Sequence, residues 1–145
     1  MRTRLLNEAE GLRTFAVVLD TGDEVTACLK DVARRENLTA AGLTAIGAFR
    51  SAVVTYFDWE EKRYLEIPVD EQVEVAAMIG DVAVDEDGEP ALHVHLVLGR
   101  RDGSAVAGHL ARAEVRPTLE VVLTETPAHL VRRKDPASGL ALIRF

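Results

Sequence analysis

Two of the chain's four histidines stand two positions apart in an otherwise apolar run, ALHVHLVLG, residues 91–99. In a β-strand, alternate side chains face opposite ways. Leu92, Val94, Leu96 and Leu98 then form one aliphatic stripe that must face a core, and His93, His95 and Val97 share the other face. Two imidazoles about 7 Å apart along a strand can converge on one point above it, as ligands of a single metal must. A lone pair of this kind also suits surface or interface histidines, and a third ligand would strengthen the metal reading.

The segment GRRDGSAVAGHLARAEV offers one. If Arg101, Asp102 and Gly103 form a three-residue hairpin loop with Gly103 in the left-handed conformation, residue 100 pairs with 104 and residue 95 falls opposite His109. His109 then joins the face of His93 and His95, and Gly108 leaves room for backbone or ligand to come close. A two-residue loop would shift the register by one and turn His109 away. Three neutral imidazoles suit zinc, nickel, copper or ferrous iron, with zinc the first choice, and three protein ligands leave a coordination position open. Such a metal could acidify bound water or polarise a carbonyl. Spacing alone leaves an inter-subunit histidine cluster or a solvated hairpin equally open. Glu120, in TLEVVLTE, is the carboxylate to consider as acid, base or hydrogen-bond partner of a ligand, on the expectation that a strand at 118–124 lies beside the hairpin; an exposed position on an alternating strand is the other reading. His129 follows Pro127 in a loop and is read as a surface residue.

The elements that must position these residues are mostly strands. RTFAVVLD (13–20) reads as a strand in the middle of a sheet or covered on both faces. In TGDE, Thr21 and Glu24 have the spacing of a capping box, and Val25, Cys28, Leu29 and Val32 recur at helical period after it. Cys28 is read as a small apolar residue of that helix. LTAIGAF, SAVVTYFD and RYLEI read as strands, with a charged turn at Trp59–Lys62. QVEVAAMIGDVAV is a longer strand bent or bulged at Gly80, and DEDG (85–88) turns into the histidine segment. One helix among many closely spaced strands is an α+β domain with a largely antiparallel sheet, and residues 1–145 show no linker or repeat that would divide it.

Composition narrows the function. Hydrophobic residues make up 48% and charged residues 28% of 145 positions, as in a soluble globular protein. With 24 acidic and 17 basic residues the net charge is −7, which repels phosphate backbones and anionic membranes. The one dense basic run, Arg132–Lys134, is read as a solvated loop. No stretch approaches a membrane span, the first ten residues lack the apolar core of a signal peptide, and the lone Cys28 can form no internal disulfide. A cytoplasmic location is the expectation.

From Gly80 to Glu125 the chain resembles prokaryotic members of the PPC family, the plants and prokaryotes conserved domain that in plants accompanies AT-hook motifs. The resemblance rests on Asp87-Gly88, then His93, His95 and Leu98, then Asp102-Gly103, then Gly108-His109-Leu110, and finally Thr118, Glu120 and Val121. Upstream, GLTAIGAFRSAVVTYFDWEEKRY is similar to the family's glycine-containing strand pair. Ala107 departs from the pattern, standing where relatives usually carry the first glycine of a Gly-Gly-His. The resemblance implies an α+β, mostly antiparallel fold with one main helix, a homotrimer, and a metal on the matching histidines, as in some prokaryotic members. It supplies no reaction. No Arg-Gly-Arg-Pro core of an AT-hook occurs, which with the negative charge argues against direct DNA binding. The reading that results is a metal-binding PPC-like domain, trimeric, with its site near a subunit boundary and open to water or a small ligand. If it is an enzyme, it is a metal-dependent hydrolase, lyase or isomerase on a small polar molecule; the alternative is a regulatory or protein-interaction module.

Overall fold

Alternation of buried and less buried residues marks the long central strands of the computed structural model, which describes residues 1–144. The elements are β1 (Arg2–Ala9), β2 (Leu12–Asp20), α1 (Val25–Arg35), β3 (Ala41–Asp58), β4 (Arg63–Val69), β5 (Val73–Val84), β6 (Pro90–Gly99), β7 (Ala105–Glu125), β8 (Val131–Lys134) and β9 (Ala141–Arg144). In β2, Phe15, Val17 and Leu19 are buried while the residues between them are only partly so. The strand lies between β1 and β7, as its apolar character on both faces requires.

The strands belong to one sheet, antiparallel except where β5 meets β8 at Val84 and Val131. Strand β3 pairs with β5 and with β7, and β6 pairs with the same two, so the four strands form a closed circuit of hydrogen bonding. Phe49, Met78, Leu96, Leu98, Leu119 and Leu123 fill the inner side, together with Val25, Leu29 and Val32 of α1. Burying each such side chain contributes about 1.5–3 kcal/mol. The helix lies against β6 and β7, so the strands that carry the histidines have one face anchored to the core. It is not long and apolar enough to cross a membrane.

Several local expectations change. The helix is capped by Glu24 alone: its carboxylate accepts from the backbone N–H of Thr26 and Ala27. Thr21 instead donates to the Pro117 carbonyl, because the chain makes a turn at Gly22 before the helix begins. The two segments LTAIGAF and SAVVTYFD are one strand, β3, and residues 105–125 are one strand, β7, which runs through Pro117. Gly80 is no bulge; the bulge in β5 lies between Val75 and Ala77. At Gly80 a Cβ would stand 2.2 Å from the His93 carbonyl oxygen, so glycine there permits close contact between β5 and β6. The run Arg132–Lys134 is strand β8, and Arg132 is buried.

Candidate metal centre

The inner stripe of β6 behaves as its alternation demands: Val94, Leu96 and Leu98 are buried, and Leu92 packs against the same core. His93 and His95 therefore project from the opposite face. The loop after β6 sets where His109 lands. Arg100 N–H donates to the Ser104 carbonyl at 2.8 Å, Gly103 N–H to the Arg100 carbonyl at 3.0 Å, and Gly103 is left-handed with φ 85°. Asp102 fixes the loop by accepting from the Ser104 N–H and hydroxyl. This is the three-residue loop, residue 100 meets 104, and His95 pairs with His109.

The three rings form a cluster. One nitrogen from each of His93, His95 and His109 lies within 4.8 Å of the other two. Ring centroids are 4.1 Å apart for His95 and His109, 5.0 Å for His93 and His95, and 5.2 Å for His93 and His109. The Nε2 atoms of His93 and His95 are 3.3 Å apart. Two nitrogens bound to one tetrahedral zinc at 2.0–2.1 Å would lie about 3.3 Å from each other, so the pair already has the bite of a chelate. The three histidines are positioned to bind a metal ion. Burial holds the His93 ring below the usual histidine pKa, assisted by the Arg132 and His95 charges and opposed by Asp81. Burial does the same for His109, assisted by His95 and His93. Both shifts favour the neutral imidazole, the form that ligates.

Asp81 lies directly opposite His93 across the β5–β6 pair. Its carboxylate takes both oxygens to Arg132 Nη2, at 2.6 and 2.8 Å, and Arg132 Nη1 donates to the Ala141 carbonyl. Sequence reasoning missed this pair: Arg132 sits in a basic run, and its partner is 51 residues away. Strand β8 brings it there by joining β5 at Val84.

Glu120 is not brought to the trio. It sits eleven positions further along the strand that carries His109, between Val18 of β2 and Ile46 of β3, and is exposed. The expectation of a separate strand beside the hairpin fails because β7 is continuous. Gly108 does adjoin the trio, but a Cβ there would stand 2.7 Å from the Thr55 carbonyl oxygen, so its small size serves the approach of β3 to β7. His129 is exposed and shares a hydrogen bond with Thr39. Cys28 is partly buried, and burial pushes its thiol pKa up, which suits an apolar role.

Fold and site together define a class: a strand-rich domain with one helix that presents three convergent histidines from a β-hairpin. The Plants and Prokaryotes Conserved (PCC) domain matches residues 6–127, and the chain belongs to that family. Similar solved structures include a metal-containing protein from Archaeoglobus fulgidus, 32% identical over 91% of this chain and 93% of that one, TM-score 0.84. A plant- and prokaryote-conserved (PPC) protein from Pyrococcus horikoshii is 28% identical, over 99% and 95% of the two chains, TM-score 0.85. A protein from Ralstonia eutropha, named provisionally as DNA-binding, is 28% identical over 90% of each chain, TM-score 0.84. None of the curated proteins matches the chain.

Proposed function

We propose that this protein is a small-ligand-binding metal centre: His93, His95 and His109 hold one divalent transition metal, zinc by preference, with a coordination position left for water or a ligand oxygen. The 3.3 Å separation of the His93 and His95 nitrogens carries the reading, and the metal-containing similar protein from Archaeoglobus fulgidus supports it. Bound metal would lower the pKa of its water to about 7 or polarise a carbonyl. Hydrolysis on that water would require a base, and the carboxylate opposite His93, Asp81, is committed to Arg132. Ligand binding is accordingly the leading activity, and a hydrolase, lyase or isomerase reaction is the extension to test.

The outer face of the sheet supports self-association, which we propose as a homotrimer. Ile46, Ile79, Val97 and Val122 are exposed on it by 63%, 58%, 40% and 41%, whereas an uncovered antiparallel sheet normally presents polar residues there. His95 pairs with Ile79, so the metal site would adjoin a subunit boundary. Direct DNA binding gains no support from the basic run, since Arg132 is internal.

Elemental analysis of protein purified without a metal-affinity tag tests the metal. About one zinc per chain in the wild type and none in His93→Ala/His95→Ala is expected. No metal in either after incubation with zinc would leave the histidines as an interface feature and favour a regulatory module. Light scattering of Ile79→Glu tests the assembly, with monomers expected; an unchanged mass would refute the proposed contact face.

A further inference from the structure

The histidines border a second space that the metal reading does not use. His93 and His109 close one end of a cleft of about 350 Å³. Its lining brings together Phe57 and Tyr64, Leu140 and Leu142 from the connection and strand of the C-terminal hairpin, and Arg132. Tyr64 stands edge-on to His109 at 5.2 Å and to Phe57 at 5.1 Å, so an aromatic wall runs up to a candidate ligand ring. Tyr64 is 43% and Leu142 37% exposed, which leaves the mouth open. Arg132 is buried and its Nε has no hydrogen-bond partner.

We propose that this cleft binds a small organic carboxylate with an apolar, ring-sized body, the carboxylate oxygen taking the metal's open position. The inference rests on the metal reading and adds what the ligand is. The cleft volume lies at the small end of the range for small-molecule sites, about 300–1,000 Å³, and a cavity of about 150 Å³ already holds a benzene ring, so one aromatic or branched aliphatic group fits together with its carboxylate arm. A divalent ion beside the cleft selects an anionic oxygen donor and repels an ammonium group, and Arg132, whose charge is balanced by Asp81, adds its unpartnered Nε–H as a donor. Tyr64, Leu140 and Leu142 offer the rest of the ligand a dry surface. The other depression that touches the trio, beside Ile79, Thr44 and Val122, lies on the face assigned to self-association and is covered in the assembly. Phe57 and Tyr64 lie within the family match, whereas Leu140 and Leu142 lie outside it, since it ends at residue 127; the C-terminal hairpin therefore shares in selecting the ligand body.

The test uses full-length protein loaded with cobalt, whose visible bands report coordination, titrated with phenylacetate, acetate and phenethylamine. Phenylacetate should change the spectrum saturably with a Kd at least tenfold below that of acetate, and phenethylamine should leave it unchanged. Leu140→Ser/Leu142→Ser, at partly exposed positions, should keep one cobalt per chain and the acetate response while losing the preference. Equal affinity for the two acids, a spectrum that neither alters, or a preference that survives in the variant would overturn the cleft and leave the metal reading intact. Failure of the wild type to take up cobalt would overturn both.

Discussion

Replacing His109 by alanine removes one donor of three, together with its ring contacts to Tyr64, His93 and His95, and leaves the backbone in place. The pairing of His95 with His109 is made by the backbone, and alanine already occupies positions 107 and 111 of the same strand. The magnitude follows from the donor count. Structural zinc sites with four ligands bind with about 10–16 kcal/mol, or about 2.5–4 kcal/mol per ligand. Three ligands then supply about 8–12 kcal/mol, a Kd between roughly 1 μM and 1 nM, and losing one raises Kd by about two to three orders of magnitude. At pH 7.5 His93 and His109, whose pKa values burial lowers, contribute no competing proton. The assay is competition for zinc against a chromophoric chelator, with His129→Ala as control because that ring is outside the cluster and pairs with Thr39. His109→Ala should bind at least a hundredfold more weakly, while the metal-free variant unfolds within about 1 kcal/mol of the wild type, as expected for a partly exposed site. Binding within tenfold of wild type, or an equal loss in His129→Ala, would refute the three-histidine assignment.

Acid should act in the same direction. The folded pKa values of His93 and His109 lie below the unfolded value of about 6.5, so the unfolded chain binds protons that the folded chain resists, and the urea midpoint should fall as pH drops from about 6.5 through the lowered values. Zinc should steepen that dependence, since ligation requires neutral rings; a midpoint that rises on acidification would contradict the sign. Leu98→Ala, at a fully buried position of β6, should cost about 2–5 kcal/mol in denaturant unfolding. Asp81→Asn removes the counter-charge of the buried Arg132 and one of its two side-chain acceptors, and should destabilise by about 2 kcal/mol, short of the 3–5 kcal/mol of a fully enclosed pair because Asp81 is partly exposed; a neutral result would show that water replaces the carboxylate.

The trio was legible because each step that builds it is short in sequence. Alternation in β6 assigns the faces of His93 and His95 within a few residues, and the Asp102-Gly103 loop transmits that assignment across one turn to His109. The extent of β7 was less legible, for a reason that Pro117 makes plain. Proline lacks the N–H of a ladder bond and reads as the end of a strand. Here it falls between the Val115–Phe49 and Leu119–Gly47 pairs, where the register between β7 and β3 shifts, so the strand passes through without losing a regular partner. That continuity is also what carries Glu120 away from the histidines.

The Asp81–Arg132 pair was beyond local reading altogether. Nothing in VRRK distinguishes a solvated basic run from a strand with one inward arginine, since the deciding partner belongs to β5 and meets β8 only through the Val84–Val131 bridge. The consequence reaches the site: the carboxylate facing His93 belongs to β5 within the family match, and the arginine that holds it is supplied by a hairpin that lies past that match. The three histidines belong to the family domain, and the surface that would choose among ligands of a metal held there is shaped in part by residues 132–142. Substitutions in the hairpin should therefore alter which carboxylate binds before they alter whether metal binds, whereas substitutions in the β6–β7 loop should do the reverse.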